Sequence, residues 1–235
     1  MDIRDESKPT MELVNIPPIV SIYRQALCTF DDRSKRNFMS DLNKLKTMMD
    51  SLKAEDLGYD NVFRDQEFWK KPSKAPCFRM PLHDHPHMHG LLKVISGAVD
   101  IRSFSEYPLK ENVSPADFEY RARQEAKRLA QGIHMRRKLF AQVTSHRICT
   151  ESSDTCTLTP TISNYHELEA LEMPAAFFDI LSPPYDTLIE GIGPRRCRYY
   201  HVANEISTNL VELQETEVPR CFYCDQAPYL GPMLA

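Results

Sequence analysis

Four of the eight histidines fall at alternate positions of one short run, Met80-Pro-Leu-His-Asp-His-Pro-His-Met-His-Gly90: His83, His85, His87 and His89. On a β-strand alternate side chains share a face, so His83 and His85 point together while Asp84 points away. Imidazole is the commonest metal ligand among side chains, and two on one strand face make half of a metal site. Pro86 cannot donate to a strand ladder and is expected to end the strand, which leaves His87 and His89 outside the pair. A third ligand must come from elsewhere, and His134, His146, His166 and His201 are the candidates. His166 stands out among them. Pro160 and Asn164 supply turn chemistry that feeds a strand beginning at His166, and a histidine at a strand entry can face a barrel lumen.

The elements that must hold these residues are mostly strands. From Val62 onward the β-prone runs are short: Cys77–His85, Leu91–Ile95, Val99–Phe104, Leu139–Cys149, Cys156–Thr159, His166–Ala170, Ala175–Leu181, Cys197–Val202 and Val218–Tyr223. Turn residues such as Ser96-Gly97 separate them, the pattern of an antiparallel sandwich or barrel. Residues 1–15 are expected to be disordered. Residues 16–58 form a helical segment: a short helix over Ile19–Phe30, then a better one opened by Asp31 or Ser34. The second carries the stripe Phe38, Leu42, Leu45, Met49 and Leu52, which should dock on the main body. Residues 59–235 make the β domain. Within it, Ser114, Pro115 and Gly132 punctuate an inserted basic helix over about 114–132.

Composition narrows the function. A chain of 235 residues with net charge −4 and 42% apolar residues reads as one globular unit. Its pI near 6.1 gives no basic field for nucleic acid or an anionic membrane. The charged N-terminus is not a secretory signal, and no apolar run approaches the ~18 residues of a membrane helix. The expectation is an intracellular monomer, cytoplasmic or also nuclear, with its seven cysteines reduced. One C-x-x-C, Cys221 and Cys224, is a weak signal for zinc or redox chemistry.

The histidine run resembles a known family. Pro81-Leu-His-Asp-His-Pro-x-Met-His-Gly-x-Leu-Lys-Val-x-x-Gly97 is similar to the metal-binding strand of the cysteamine (2-aminoethanethiol) dioxygenases, which group with the plant cysteine oxidases. Leu158-Thr-Pro followed by Asn164-Tyr-His-Glu resembles the second metal motif. Pro174-Ala-Ala-Phe-Phe-Asp-Ile-Leu-Ser-Pro-Pro-Tyr-Asp186 and Cys197-Arg-Tyr-Tyr200 resemble two further signatures, and the tail from Phe222 to Pro232 also fits. The resemblance implies a mainly β cupin, a double-stranded β-helix or jelly-roll barrel with N-terminal helices. It implies Fe(2+) held by His83, His85 and His166. Asp179 falls on a carboxylate near the site, and Cys197 with Tyr199 on a pair able to form a thioether cross-link.

The implied reaction adds both atoms of O2 to the sulfur of a small aminothiol or a protein N-terminal cysteine. The product is a sulfinic acid, and a readout of oxygen level is a natural use. Asp84, Asp179 and Tyr199 are the groups expected to orient the imidazoles. Two departures from the family stand out: the stretch from Phe63 to Pro76 is polar and lysine-rich, and His87 replaces a small residue. Two other readings remain open at this point. One is a three-histidine zinc hydrolase or hydratase; the other is a non-enzymatic cupin that binds a partner through the basic helix.

Overall fold

The structure, a computed structural model, describes residues 16–31, 36–59, 79–107, 136–172, 174–222, 224 and 228–234. Two helices come first, α1 (Pro18–Thr29) and α2 (Phe38–Asp50), then a single 3₁₀ turn at Ala54–Leu57. Eleven strands follow among the described residues: β1 (Arg79–Asp84), β2 (His89–Ser96), β3 (Ala98–Glu106), β4 (Lys138–Thr150), β5 (Cys156–Leu158), β6 (Tyr165–Ala170), β7 (Ala176–Ser182), β8 (Leu188–Ile189), β9 (Gly193–Pro194), β10 (Tyr199–Ser207) and β11 (Leu210–Thr216). The expected basic helix over 114–132 and the whole lysine-rich stretch from Phe63 to Pro76 lie outside the described residues.

Six strands close into an antiparallel barrel in the order β1-β10-β11-β4-β3-β6, with β6 pairing back onto β1. A three-stranded sheet, β5-β2-β7, forms the second layer. This is the mainly β cupin jelly-roll expected from the sequence. Closure removes the unpaired edges that an open sheet would expose. Gly97, at φ 72°, makes the β2–β3 corner anticipated at Ser96-Gly97.

Side-chain alternation builds three apolar cores. Leu82, Phe104, Tyr165, Tyr200, Val211 and Leu213 fill one core drawn from strands of the closed barrel. Leu92, Val94, Val99, Ile101 and Leu168 fill the second, where the barrel wall meets the three-stranded sheet. On the outer face of that sheet, Leu91, Phe178 and Ile180 meet Ile22, Leu45, Met49 and Leu52 of the helical segment. The α2 stripe docks as its spacing predicts, with Leu45 and Met49 wholly buried. Phe38 instead lies edge-on to His89, 4.8 Å between ring centres.

Two strand expectations are corrected. Val218–Tyr223 forms no strand among its described residues, and Leu210–Thr216 does. Pro219 has no N–H to give a ladder, whereas Val211 and Leu213 alternate inward opposite β4. The α2 helix begins at Phe38, later than Asp31 or Ser34, after an Asn37 whose side chain makes no cap. The tail also returns to the bend that follows the helices. Gly58, at φ +66°, lies so close to the tail that an added Cβ would stand 2.7 Å from the Cα of Gly231.

Candidate metal centre

His83 and His166 face each other across the β1–β6 ladder, and His83 pairs with Tyr199 of β10 on its other side. His85 lies one residue past the end of β1, but its backbone N–H still bonds the Asn164 carbonyl at 3.0 Å, so the alternation carries through. The register slips between Met80 and His83.

The result is a cluster of three buried imidazoles. Their ligand-capable atoms all lie within 4.8 Å of one another. Ring centres are 4.7 Å apart for His83 and His85, 4.7 Å for His83 and His166, and 4.5 Å for His85 and His166. The His83 Nδ1 lies 2.8 Å from the Pro81 carbonyl, and the His85 Nδ1 lies 3.0 Å from the Asn164 carbonyl. A carbonyl only accepts, so each Nδ1 carries the proton and each Nε2 presents a lone pair. The His85 Nε2 is buried with no hydrogen-bond partner. An orphaned nitrogen of this kind, beside two more imidazoles, is what a divalent cation would satisfy.

Electrostatics keep the rings neutral. Burial lowers the pKa of all three, and His85, also repelled by His83, falls to about 3. Neutral imidazole is the form that ligates metal.

Asp179, on β7 opposite Leu92, lines a narrow cavity together with His166, Ser103 and Cys156. Burial pushes its carboxyl up to about 7. The Cys197 thiol lies beside the hydroxyls of both Tyr185 and Tyr199, and burial raises it to about 11. The Tyr199 ring lies 6.3 Å from that of His83.

Asp84 does not hold the imidazoles. As alternation requires, its carboxylate faces the other way, accepting from the Arg198 N–H at 2.8 Å and the Tyr200 hydroxyl at 3.1 Å. For His83 and His85 the orienting groups are backbone carbonyls. The remaining described histidines stand apart: His87 is exposed with φ 55°, His89 is half-buried against Phe38, His146 pairs with Asp100, and His201 is exposed. His134 lies outside the described residues.

Three residues matter more here than their sequence context announces. Asn164, buried, donates from Nδ2 to the carbonyls of His85 at 2.7 Å and Thr159 at 2.8 Å. Arg195, also buried, donates to the carbonyls of Pro86 and His87 and so clamps the turn after His85. Tyr185 donates its hydroxyl to the Asp84 carbonyl at 2.7 Å, with its ring 6.0 Å from that of His85. Asn164 and Tyr185 sit inside the quoted signatures, which was the available signal. For Arg195 there was none.

Comparison with known proteins agrees with this geometry. A family model described as PCO_ADO matches residues 71–234. The chain belongs to that family. Two relatives share most of its length. A protein of Homo sapiens called 2-aminoethanethiol dioxygenase is 30% identical over 231 residues, covering 83% of this chain and 82% of its own. A Mus musculus protein of the same name is 29% identical over 253 residues, covering 91% and 95%. The PCO_ADO match takes in β1 and β6, the two strands that bear the histidine motifs. The fold, the three-histidine site and the dioxygenase family therefore agree, and the resemblance read from the motifs is borne out.

Proposed function

We propose that the protein is an iron-dependent thiol dioxygenase that converts a small aminothiol, or a protein N-terminal cysteine, into a sulfinic acid. The observation that carries this reading is the set of three buried, neutral imidazoles whose ligand-capable nitrogens lie within 4.8 Å of one another, two of them with Nε2 left to coordinate. His83, His85 and His166 would hold the metal. Bound there, ferrous iron would supply the redox chemistry that joins dioxygen to a thiolate sulfur. An all-histidine set brings no negative charge of its own, which suits a substrate that arrives as a thiolate.

The chain's own groups support that task. The carbonyls of Pro81 and Asn164 hold two rings in one tautomer. Asp179, with its carboxyl at about 7, is poised near neutrality to take the proton of an entering thiol. Tyr185, with its ring 6.0 Å from that of His85, and Tyr199, 6.3 Å from that of His83, flank the site. Leu92, Ile101 and Leu158 line the cavity with apolar surface and limit water.

The deciding experiment loads the protein with ferrous iron and follows oxygen uptake with cysteamine, free cysteine and Cys-initiated peptides. Mass analysis should find a gain of two oxygen atoms on one or more of them. Bound metal with no oxygen uptake on any thiol would overturn the proposal and favour a three-histidine zinc centre.

A further inference from the structure

A second pair of reactive groups stands at the far wall of the cavity that His166 lines. Cys149, at the end of β4, and Cys156, at the start of β5, bring their sulfurs within 3.8 Å. The Arg147 guanidinium donates to the Cys156 Sγ at 2.9 Å. Cys149 is fully buried and Cys156 only partly so. The turn between them is held from both sides. Thr150 and Ser153 bond each other across it. The buried Lys93 of β2 donates its ammonium to the carbonyls of Glu151 at 2.8 Å and Ser153. Asp50, at the end of α2, accepts the Thr155 N–H at 2.7 Å. The two sulfurs are thus kept together by a braced turn, with a cation on the more accessible one. Neither sulfur belongs to the three-histidine set itself.

We propose that Cys149 and Cys156 form a peroxide-reactive dithiol, in which Cys156 is oxidised first and Cys149 closes a disulfide. The sulfurs need about 2 Å of further approach to reach bonding distance, within reach of a change of side-chain rotamer. The Cys149 S–H and the Arg147 guanidinium hold the Cys156 thiol down at about 6 against the effect of burial, while Cys149 is pushed up. Cys156 is therefore the nucleophile and Cys149 the resolving thiol.

In the first step the Cys156 thiolate attacks a peroxide oxygen. The S–O bond forms, the O–O bond breaks, and the departing hydroxide takes a proton and leaves as water. In the second step the Cys149 sulfur attacks the Cys156 sulfenic acid. The S–S bond forms, the S–O bond breaks, and the hydroxyl leaves as water with the Cys149 proton. Two thiols and one hydrogen peroxide give one disulfide and two waters, and the two electrons pass from the sulfurs to the peroxide. Cys156 lines the same cavity as Asp179 and His166, so the new bond would restrain one wall of that cavity.

The test uses the full chain in a metal chelator, treated with one equivalent of hydrogen peroxide, alkylated and digested. The expected product is a Cys149–Cys156 linked species lighter by two hydrogens. In Cys149→Ser, Cys156 should instead accumulate as a sulfenic acid trapped by dimedone. Arg147→Gln, at an exposed position, should slow Cys156 oxidation about tenfold at neutral pH while the fold is retained. Oxidation that falls first on Cys28, Cys77, Cys197, Cys221 or Cys224 and leaves Cys156 reduced would overturn the proposal. So would an Arg147→Gln rate equal to that of the parent chain.

Discussion

Replacing Asn164 by alanine tests whether a single side chain latches the two halves of the histidine site. Its amide donates to the His85 carbonyl at 2.7 Å and to the Thr159 carbonyl at 2.8 Å, and its own carbonyl receives the His85 ring nitrogen. The alanine variant keeps the last of these and loses the other two. Each lost bond removes about 1 kcal/mol of net stability, and each buried acceptor left bare adds a desolvation cost of the order of 1 kcal/mol or more. Together they give a loss of about 2–4 kcal/mol, the lower value applying if water enters the space vacated. In a domain of this size that lowers Tm by on the order of 10 °C. Because the latch fixes His85 relative to the strand bearing His166, metal affinity should fall about tenfold as well. Thermal unfolding of the metal-free chain and a competition titration against a chelator measure the two effects separately. A Tm unchanged from the parent would refute the hydrogen-bond reasoning. A lowered Tm with undiminished metal affinity would refute the positioning role and leave Asn164 a structural residue only.

Further expectations concern the site and its support. His85→Ala should lose metal and oxygen uptake together, whereas Asp179→Asn should keep metal, checked by metal analysis, and lose rate. Acid stability of the metal-free chain follows from the buried histidines. Their pKa values are lower folded than unfolded, so the unfolded chain binds more protons and stability drops as pH falls from about 6.5 toward 3. Asp179, raised to about 7, acts in the opposite sense, gaining protons in the folded state as pH falls. Urea titrations across that range should therefore show a steeper acid loss in Asp179→Asn than in the parent. Leu45→Ala, at a fully buried contact between α2 and the outer sheet face, should cost about 2–5 kcal/mol in urea unfolding.

Much of the site was legible because its logic is local. Alternation alone paired His83 with His85 and turned Asp84 away, and Pro86 ended the strand. The α2 stripe was legible for the same reason: periods of 2 and 3.6 are written in the chain itself. What escaped depends on contacts between distant residues. Arg195 reaches the Pro86 carbonyl across 109 positions, and Asn164 reaches His85 across 79. Neither reach is encoded in the residues beside it. The Leu210–Thr216 strand was missed because only Val211 and Leu213 make its inward face, too short an alternation to stand out beside Glu212, Gln214 and Glu215. Val218–Tyr223 had the composition of a strand, but Pro219 denied it a place in a ladder. Expecting Asp84 to orient the rings overlooked the backbone, which offers an acceptor at every residue.

The near-contact of Gly58 with Gly231 has a mechanical consequence. Neither position tolerates a side chain without displacing backbone, so the tail rests directly on the bend that follows the helices. Tension applied beyond Pro232 would load that bend and the helical layer before it reached the strands bearing the histidines. A bulky fusion at that end should loosen the helices first and spare the imidazole cluster, making the tail a handle for separating the two in pulling experiments.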